Sequence, residues 1–393
     1  MQQIVAITLL NLRNIPSRLG TSLVIIVGIA GVVAVLVSML SMVRGFDQTL
    51  KGTGSDNRAL ILSAGVLSEL SSTIVRDAVP LLREMPGIRR GADGAPQVSA
   101  ELMVITELKR GVGTQRASVN VALRGVEPAG LAMRPEIKLV EGRLFQAGLR
   151  EVIVGRAAQS QFDGVNVGAK LQFRGSEWTV VGLFDSGRDA HESELWTDAD
   201  TARSAFGRSG ASSILVELDG AGGLATLQAA VRGDSRLQVD VQTERDYFSG
   251  QSKNFTDNIG RLTGIVATIM AIGALFGALN TMYSAVSTRQ TEIATLRAIG
   301  FGGAPVVVSV LAEAVLLSLA GGVLGAVISY VLFNGMTVST LGQNFTQVAF
   351  SFAVTPELLV RGLVWAVAIG LLGGLLPAIQ AARMPVIDAL RAA

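Results

Sequence analysis

The sequence predicts an α-helical membrane protein with four transmembrane helices in a one-plus-three order and a large extracytoplasmic α+β domain after the first. Three observations lead there. One uncharged apolar run near the N-terminus and three further apolar runs after residue 261, of which one contains a single acidic residue, are each long enough to cross a bilayer. The stretch between them is polar, since only seven of the 33 Lys and Arg and four of the 31 Asp and Glu lie outside residues 44–261. The arginines that flank the spans in short segments gather on one side.

The first span is the uncharged stretch between Arg18 and Arg44, "LGTSLVIIVGIAGVVAVLVSMLSMV". As a helix it is about 37 Å long, enough for a hydrocarbon core of about 30 Å. A cleaved signal peptide would have a shorter apolar region and then a small-residue cleavage site, which "SMVRGF" does not offer, so the span is read as uncleaved. Residues 1–43 form an N-terminal segment and helix, residues 44–258 the polar domain, and residues 259–393 a second membrane region.

In the polar domain two stretches read as strand, helix, strand. "NRALILSAG" precedes a helical pattern with Ile74, Ala78, Leu81 and Leu82 on one face, then strand-like "QVSAELMVIT"; "SSILVELDG", "LATLQAAVRGD" and "RLQVDVQTE" repeat that order. Between them "ASVNVALRGV", "REVIVGR", "AKLQFRG" and "EWTVVGLFD" read as strands separated by turns. The expectation is one α/β subdomain built from the two flanking pieces, with a mostly β subdomain inserted. In the following "TERDYFSGQSKNFTDNIGR", Thr243 is placed to cap a helix, and Tyr247, Gln251, Asn254 and Asn258 recur at helical spacing. A continuous helix into the bilayer and a solvated connector both fit that segment.

The remaining spans run from Leu262 to about Thr288, from about Pro305 to Phe333 and from about Gly362 to Ala382. Small residues four apart, Gly273 and Gly277, Gly321 and Gly325, Gly370 and Gly374, point to closely packed helices in a compact bundle. Arg13, Arg18, Arg289, Arg297, Arg383 and Arg391 fall on one side, and the loop between the third and fourth spans holds only Arg361. That asymmetry places both termini and "RQTEIATLRAIG" in the cytoplasm and the polar domain outside.

Several chemistries are excluded or weak. A net charge of +2 with no basic, aromatic-interleaved run gives no basis for nucleic-acid binding. The chain has no cysteine, hence neither disulfides nor a thiolate metal site. It has no GxxxxGK[ST] loop to cradle nucleotide phosphates. The sole histidine, His191 in "DAHESELWTD", has acidic neighbours but reads as solvated surface rather than a metal ligand. Asn254 and Asn344 each head an N-x-T triplet, a frequent pattern with no meaning outside a glycosylating cell. Glu313 is the one acidic residue well inside a span, about 12 Å past Pro305. A hydrogen bond to a neighbouring helix accounts for it better than proton transport.

"RQTEIATLRAIGFGGAPVVVSVLAEAVLLSLAGGVLG" resembles the signature of the FtsX-like permease domain of ABC transporters, EI-x-x-LRA-[IV]G before a span with an acidic residue and a Gly-Gly-x-x-Gly step. The matching residues are Glu292, Ile293, Leu296, Arg297, Ala298 and Gly300, then Glu313, then Gly321, Gly322 and Gly325. The tail "GLLPAIQAARMPVIDALR" is similar to that family's closing motif, with Pro377, Ala378, Ala381, Ala382, Pro385, Ala389 and Leu390 in matching places. The one-plus-three layout is similar to the MacB and LolC/LolE branch, over essentially the whole chain. In that branch the flanking pieces form a porter-like subdomain around a β-rich insert.

The resemblance implies a permease of the bacterial inner (cytoplasmic) membrane that binds no cofactor itself. ATP and Mg would be bound by a separate ATPase subunit, which would dock on "RQTEIATLRAIG" as a coupling helix. There Arg289, Glu292 and Arg297 offer charge-assisted contacts, and Ile293, Leu296 and Ile299 an apolar face. A second permease chain, identical or paralogous, and a periplasmic adaptor are further partners of such systems. The function implied is mechanotransmission, in which ATP hydrolysis drives an external rearrangement that exports or extracts a substrate. The alternative is a transmembrane signalling regulator of an external hydrolase; the lack of a catalytic cluster argues against an anchored enzyme.

Overall fold

The structure, a computed structural model, describes residues 19–110, 117–341 and 347–385. These fall into two compact units, one within Met1–Arg44, Asn258–Met336 and Ser351–Ala393, the other within Gly45–Asp257 and Thr337–Phe350. Arg13, Arg18, Asn344, Ala389, Leu390 and Arg391 lie outside the described residues.

Helix α1 (Leu19–Gly52) continues past Arg44, where the sequence predicts its end. The extra turns are amphipathic enough to be held. Phe46 and Leu50 are buried, the Phe46 ring lies 3.9 Å from that of Phe255, and the Ser252 hydroxyl donates to Asp47 at 2.7 Å.

The polar unit contains the expected pair of βαβ pieces. They are β1 (Arg58–Ser63), α2 (Ala78–Arg83) and β2 (Val98–Arg110), and later β9 (Ser213–Glu217), α6 (Gly223–Gly233) and β10 (Val239–Thr243). The sheet order is β10-β1-β9-β2 with antiparallel neighbours, the split βαβ arrangement of a ferredoxin-like fold. Ile61, Leu82, Ile214 and Leu227 are fully buried in its core.

Strand β2 is shared. Val98–Glu101 pair with β9, and Leu102–Arg110 pair with β3 (Ala117–Val126) of the insert. The insert then adds α3 (Pro128–Ala132), β4 (Lys138–Gly142), β5 (Glu151–Gly155), α4 (Arg156–Gln161), β6 (Lys170–Phe173), β7 (Ser176–Asp185), β8 (Leu195–Asp198) and α5 (Ala199–Phe206). The sheet continues β3-β8-β5-β7-β4, with β6 also on β7, around a core that includes Leu123, Val152, Trp178 and Leu195. Exposure hides β4 from sequence periodicity, since every residue in it is exposed. A second correction concerns "DAHESELWTD": it is a buried 3-10 turn (Ala190–Ser193) followed by the buried strand β8, not a solvated loop.

Helix α7 (Glu244–Ser287) is unbroken, which settles the segment after Thr243 as helix. Thr243 Oγ1 caps it by accepting the Asp246 N–H at 3.0 Å. After it come α8 (Gln290–Ala298), α9 (Gly303–Phe333), a small hairpin of β11 (Thr337–Leu341) and β12 (Gln347–Ser351), and α10 (Pro356–Arg383). The hairpin carries no strand signal that the sequence reading used.

Glycine positions decide the helix contacts. A Cβ added at Gly321 would lie 2.7 Å from the Ile26 carbonyl oxygen, and one at Gly325 2.9 Å from Val33 Cβ, so both seat α9 on α1. Gly322 faces Ala366, Gly370 faces Ser318, and Gly374 faces Ala314, joining α9 and α10. Gly273 and Gly277 are the exception: an added Cβ would meet nothing within 4 Å at either. The expected packing pair on α7 therefore packs no helix among the described residues, because that helix turns its Leu262, Ile265, Ile269, Ile272 and Phe276 side away from the bundle.

Candidate functional sites

Helix α8 begins where α7 ends and is stopped by Gly300. The Gly300 N–H bonds to the Arg297 carbonyl and the Phe301 N–H to that of Leu296, both at 3.1 Å, with Gly300 at φ +101°. That is a Schellman stop, which only glycine satisfies without strain. The signature glycine is a helix terminator.

The two sides of α8 differ. Ile293 and Ala294 are buried with Val286, Val306 and Val310, and Leu296 is half-buried. Arg289 is also buried, and its guanidinium grips Glu313 of α9 through Nη1–Oε2 at 2.7 Å and Nη2–Oε1 at 3.1 Å. Arg297 donates to the Met384 carbonyl at the end of α10. Outward lie Thr291, Glu292, Thr295 and Ile299, the last 70% exposed. The residues expected to dock therefore divide: Glu292 and Ile299 face out, whereas Arg289 and Ile293 are internal fasteners. Arg289 is corrected on this point, because its guanidinium is buried and held in a two-point pair with Glu313 instead of lying on the outward face. Glu313, expected to meet a neighbouring helix, has Arg289 as its partner.

A second constellation escaped the sequence reading. In the polar unit the buried guanidinium of Arg124 (β3) contacts Glu69 at 2.8 and 2.9 Å, Glu101 (β2) at 2.9 Å and Glu194 at 2.8 and 3.0 Å. Arg134 bonds Glu101 and, at 3.2 Å, Glu244, the first residue of α7. Arg58 (β1) bonds Glu244 at 2.6 Å and Glu136. His191 is fully buried between two carboxylates, with Nδ1 3.4 Å from Glu194 Oε2 and Nε2 3.9 Å from Glu244 Oε1. Trp196 Nε1 donates to Glu194 at 2.7 Å, and Arg134 lies over the Trp196 ring at 5.2 Å.

Burial works against each of these charges, and the partners overcome it. Arg134 and Arg58 hold Glu244 down to about 2. Arg134 and Arg124 depress Glu101, Arg124 and His191 depress Glu194, and the carboxylates raise His191 and Arg124. Among the described residues no group of three or more His, Asp or Glu is arranged to hold a metal ion. The available signal was charge inside strands: Glu101 and Arg124 each interrupt a largely apolar strand, and Arg58 heads the buried run of β1. Nothing in the sequence says which strand each one faces.

Four helices long and apolar enough to cross a membrane, joined to a folded α/β domain, define a multi-pass membrane protein with a substantial domain outside the bilayer. Residues 21–234 match the family MacB-like periplasmic core domain, and residues 264–386 match FtsX-like permease C-terminal. The chain belongs to the MacB/FtsX-type ABC transporter permeases. It is 23% identical over 399 residues to the uncharacterized ABC transporter permease YknZ of Bacillus subtilis (strain 168), covering 97% of this chain and 95% of that one. The permease YvrN of the same organism is 25% identical over 427 residues, covering 97% and 96%. The macrolide export ATP-binding/permease protein MacB of Bdellovibrio bacteriovorus is 25% identical over 406 residues, covering 95% of this chain and 59% of that protein. Among solved structures, the periplasmic region of MacB from Actinobacillus actinomycetemcomitans aligns with 54% of this chain and 97% of its own at 16% identity and a TM-score of 0.37.

Proposed function

We propose that this permease is a mechanotransmitter: ATP hydrolysis on a separate nucleotide-binding subunit moves α8, and the motion drives a rearrangement of the external domain that exports or extracts a substrate. ATP and Mg belong to that subunit in this reading, since the chain contains no phosphate loop. Both termini and α8 lie in the cytoplasm, and a second permease chain completes the assembly.

The observation that carries the reading is the two-sidedness of α8. Its outward face offers Glu292 beside Thr291, Thr295 and Ile299, while its inward face is fastened to α9 through Arg289–Glu313 and to the end of α10 through Arg297. A load applied outside reaches two further helices through directional contacts, buried at Arg289–Glu313 and half-buried at Arg297. The test is charge reversal at Glu292. Glu292→Lys removes a charge-assisted contact of about 1.5–3 kcal/mol, a tenfold to hundredfold weaker complex with the cognate ATPase. Membrane levels should stay normal, because Glu292 is exposed. Glu357→Lys, at an exposed pair with Arg361, is the matched control and should leave binding intact. Unchanged ATPase binding and activity in Glu292→Lys would remove this glutamate from the interface.

A further inference from the structure

The buried ion network in the polar unit contains more carboxylate than guanidinium. Among the described residues Glu69, Glu101, Glu194 and Glu244 are buried with only Arg58, Arg124 and Arg134, before the buried Asp189 and Glu192 are considered. His191 lies where the missing cation belongs. Its two ring nitrogens face carboxylates on different elements, Glu194 after the 3-10 turn and Glu244 at the start of α7. A neutral imidazole has one N–H and one lone pair, so either tautomer would turn a lone pair toward a carboxylate. Only the imidazolium presents N–H to Glu194 and, at the same time, a positive charge to Glu244, which at 3.9 Å from Nε2 is an ion-pair contact and not a hydrogen bond.

We propose that His191 is a proton-operated clasp, which when protonated holds the first turn of α7 against the 3-10 turn of the insert and when neutral lets that turn loosen. The clasp does not depend on the docking of α8. Every charged group around the ring bears on it. Asp189, Glu192 and Glu194 come from its own turn, Glu244 from α7, Arg134 from the end of α3, and Arg124 of β3 acts through Glu194. Glu69 and Glu101 engage those arginines, and Arg58 engages Glu244. The edges of Trp196 and Phe248 enclose the ring, with centroids at 5.3 and 5.4 Å, and limit water access. The same surroundings raise the histidine above its ordinary value of about 6.5. A group raised by folding stabilises fully below the unfolded value, and that contribution is lost as pH climbs through the folded value. The clasp is therefore closed in acid and released toward alkaline pH.

His191 is the only histidine in the chain, so its imidazole resonances in the full-length, detergent-solubilised protein need no assignment. The expected titration midpoint lies above 6.5. Backbone amides of residues 246–250, corrected for intrinsic exchange, should lose hydrogen-exchange protection across the same midpoint. The loss is about tenfold for each unit by which the closed state raises the histidine. His191→Gln should abolish the pH dependence of that protection. A midpoint at or below 6.5, or protection in the native chain independent of pH, would overturn the clasp. So would a pH response that persists in His191→Gln. If His191→Gln does not fold, the native titration and exchange decide between the same outcomes.

Discussion

Arg289 and Glu313 show what a buried pair does at the scale of single residues. Each side chain is almost wholly enclosed, and the two meet by two contacts between α8 and α9. Removing one member leaves the other charged, buried and alone, a loss of about 3–5 kcal/mol, while replacing both by apolar side chains is often neutral. Arg289→Ala should therefore lower the thermal stability of the solubilised protein sharply. Arg289→Met combined with Glu313→Leu should restore most of it, as read from the temperature of aggregation. Equal loss in the single and double variants would mean that the pair supplies attraction beyond its own desolvation. The restored double variant would also separate stability from coupling, since it keeps Glu292 exposed.

At the scale of elements, glycine spacing has two different meanings in one bundle. Gly325→Val would drive atoms into Ala30 and Val33 of α1, and overpacking of that kind costs about 1–3 kcal/mol. Gly277→Ala meets open space, so it should not destabilise the isolated chain and, as a helix-interior change, should stabilise it by up to about 1 kcal/mol. Thermal unfolding of both variants in detergent checks the contrast. The sequence shows both pairs alike because four-residue spacing specifies a stripe and not the neighbour that fills it. The same limit governs the rest. Segments such as β1, β3, β7 and α6 are legible because their buried residues form nearly continuous apolar runs in the strands and a four-residue repeat, Gly223, Leu227 and Val231, in the helix. Strand β4 is not, because it is exposed throughout, and β8 is not, because its acidic approach is satisfied by Arg124 from a distant strand and by local backbone N–H groups on Glu192 and Asp189. On α8 the motif locates the helix, but only the fold separates Glu292 from Arg289.

For the whole molecule, pH should trace a bell. Glu101, Glu194 and Glu244 are held below the ordinary carboxylate range, so their contribution is present above about pH 4.3 and is lost as pH falls through the depressed folded values, about 2 for Glu244. His191 acts in the opposite sense at the alkaline end. Near-UV circular dichroism of the full chain should thus stay native at pH 4 and collapse only below it; collapse complete by pH 4 would contradict the depressed carboxylates. Topology follows from the arginine asymmetry. Single cysteines at Ser176 and Ser209 should react with an impermeant thiol reagent in spheroplasts, and one at Thr291 should not. The reverse pattern would invert the molecule and remove α8 from the ATPase side.

The position of β1 has a consequence for biosynthesis. Both strands that border it, β9 and β10, are encoded at least 150 residues later, since β1 ends at Ser63 and β9 begins at Ser213. At synthesis rates of about 5–20 residues per second, β1 waits roughly 8–30 s with both hydrogen-bonding edges unsatisfied. During that interval the β3–β8 insert can close on itself, but the subdomain that encloses it cannot. The nascent chain therefore passes through a stage in which a finished inner module hangs from an unfinished frame, and chaperones that shield open strand edges would act on that stage.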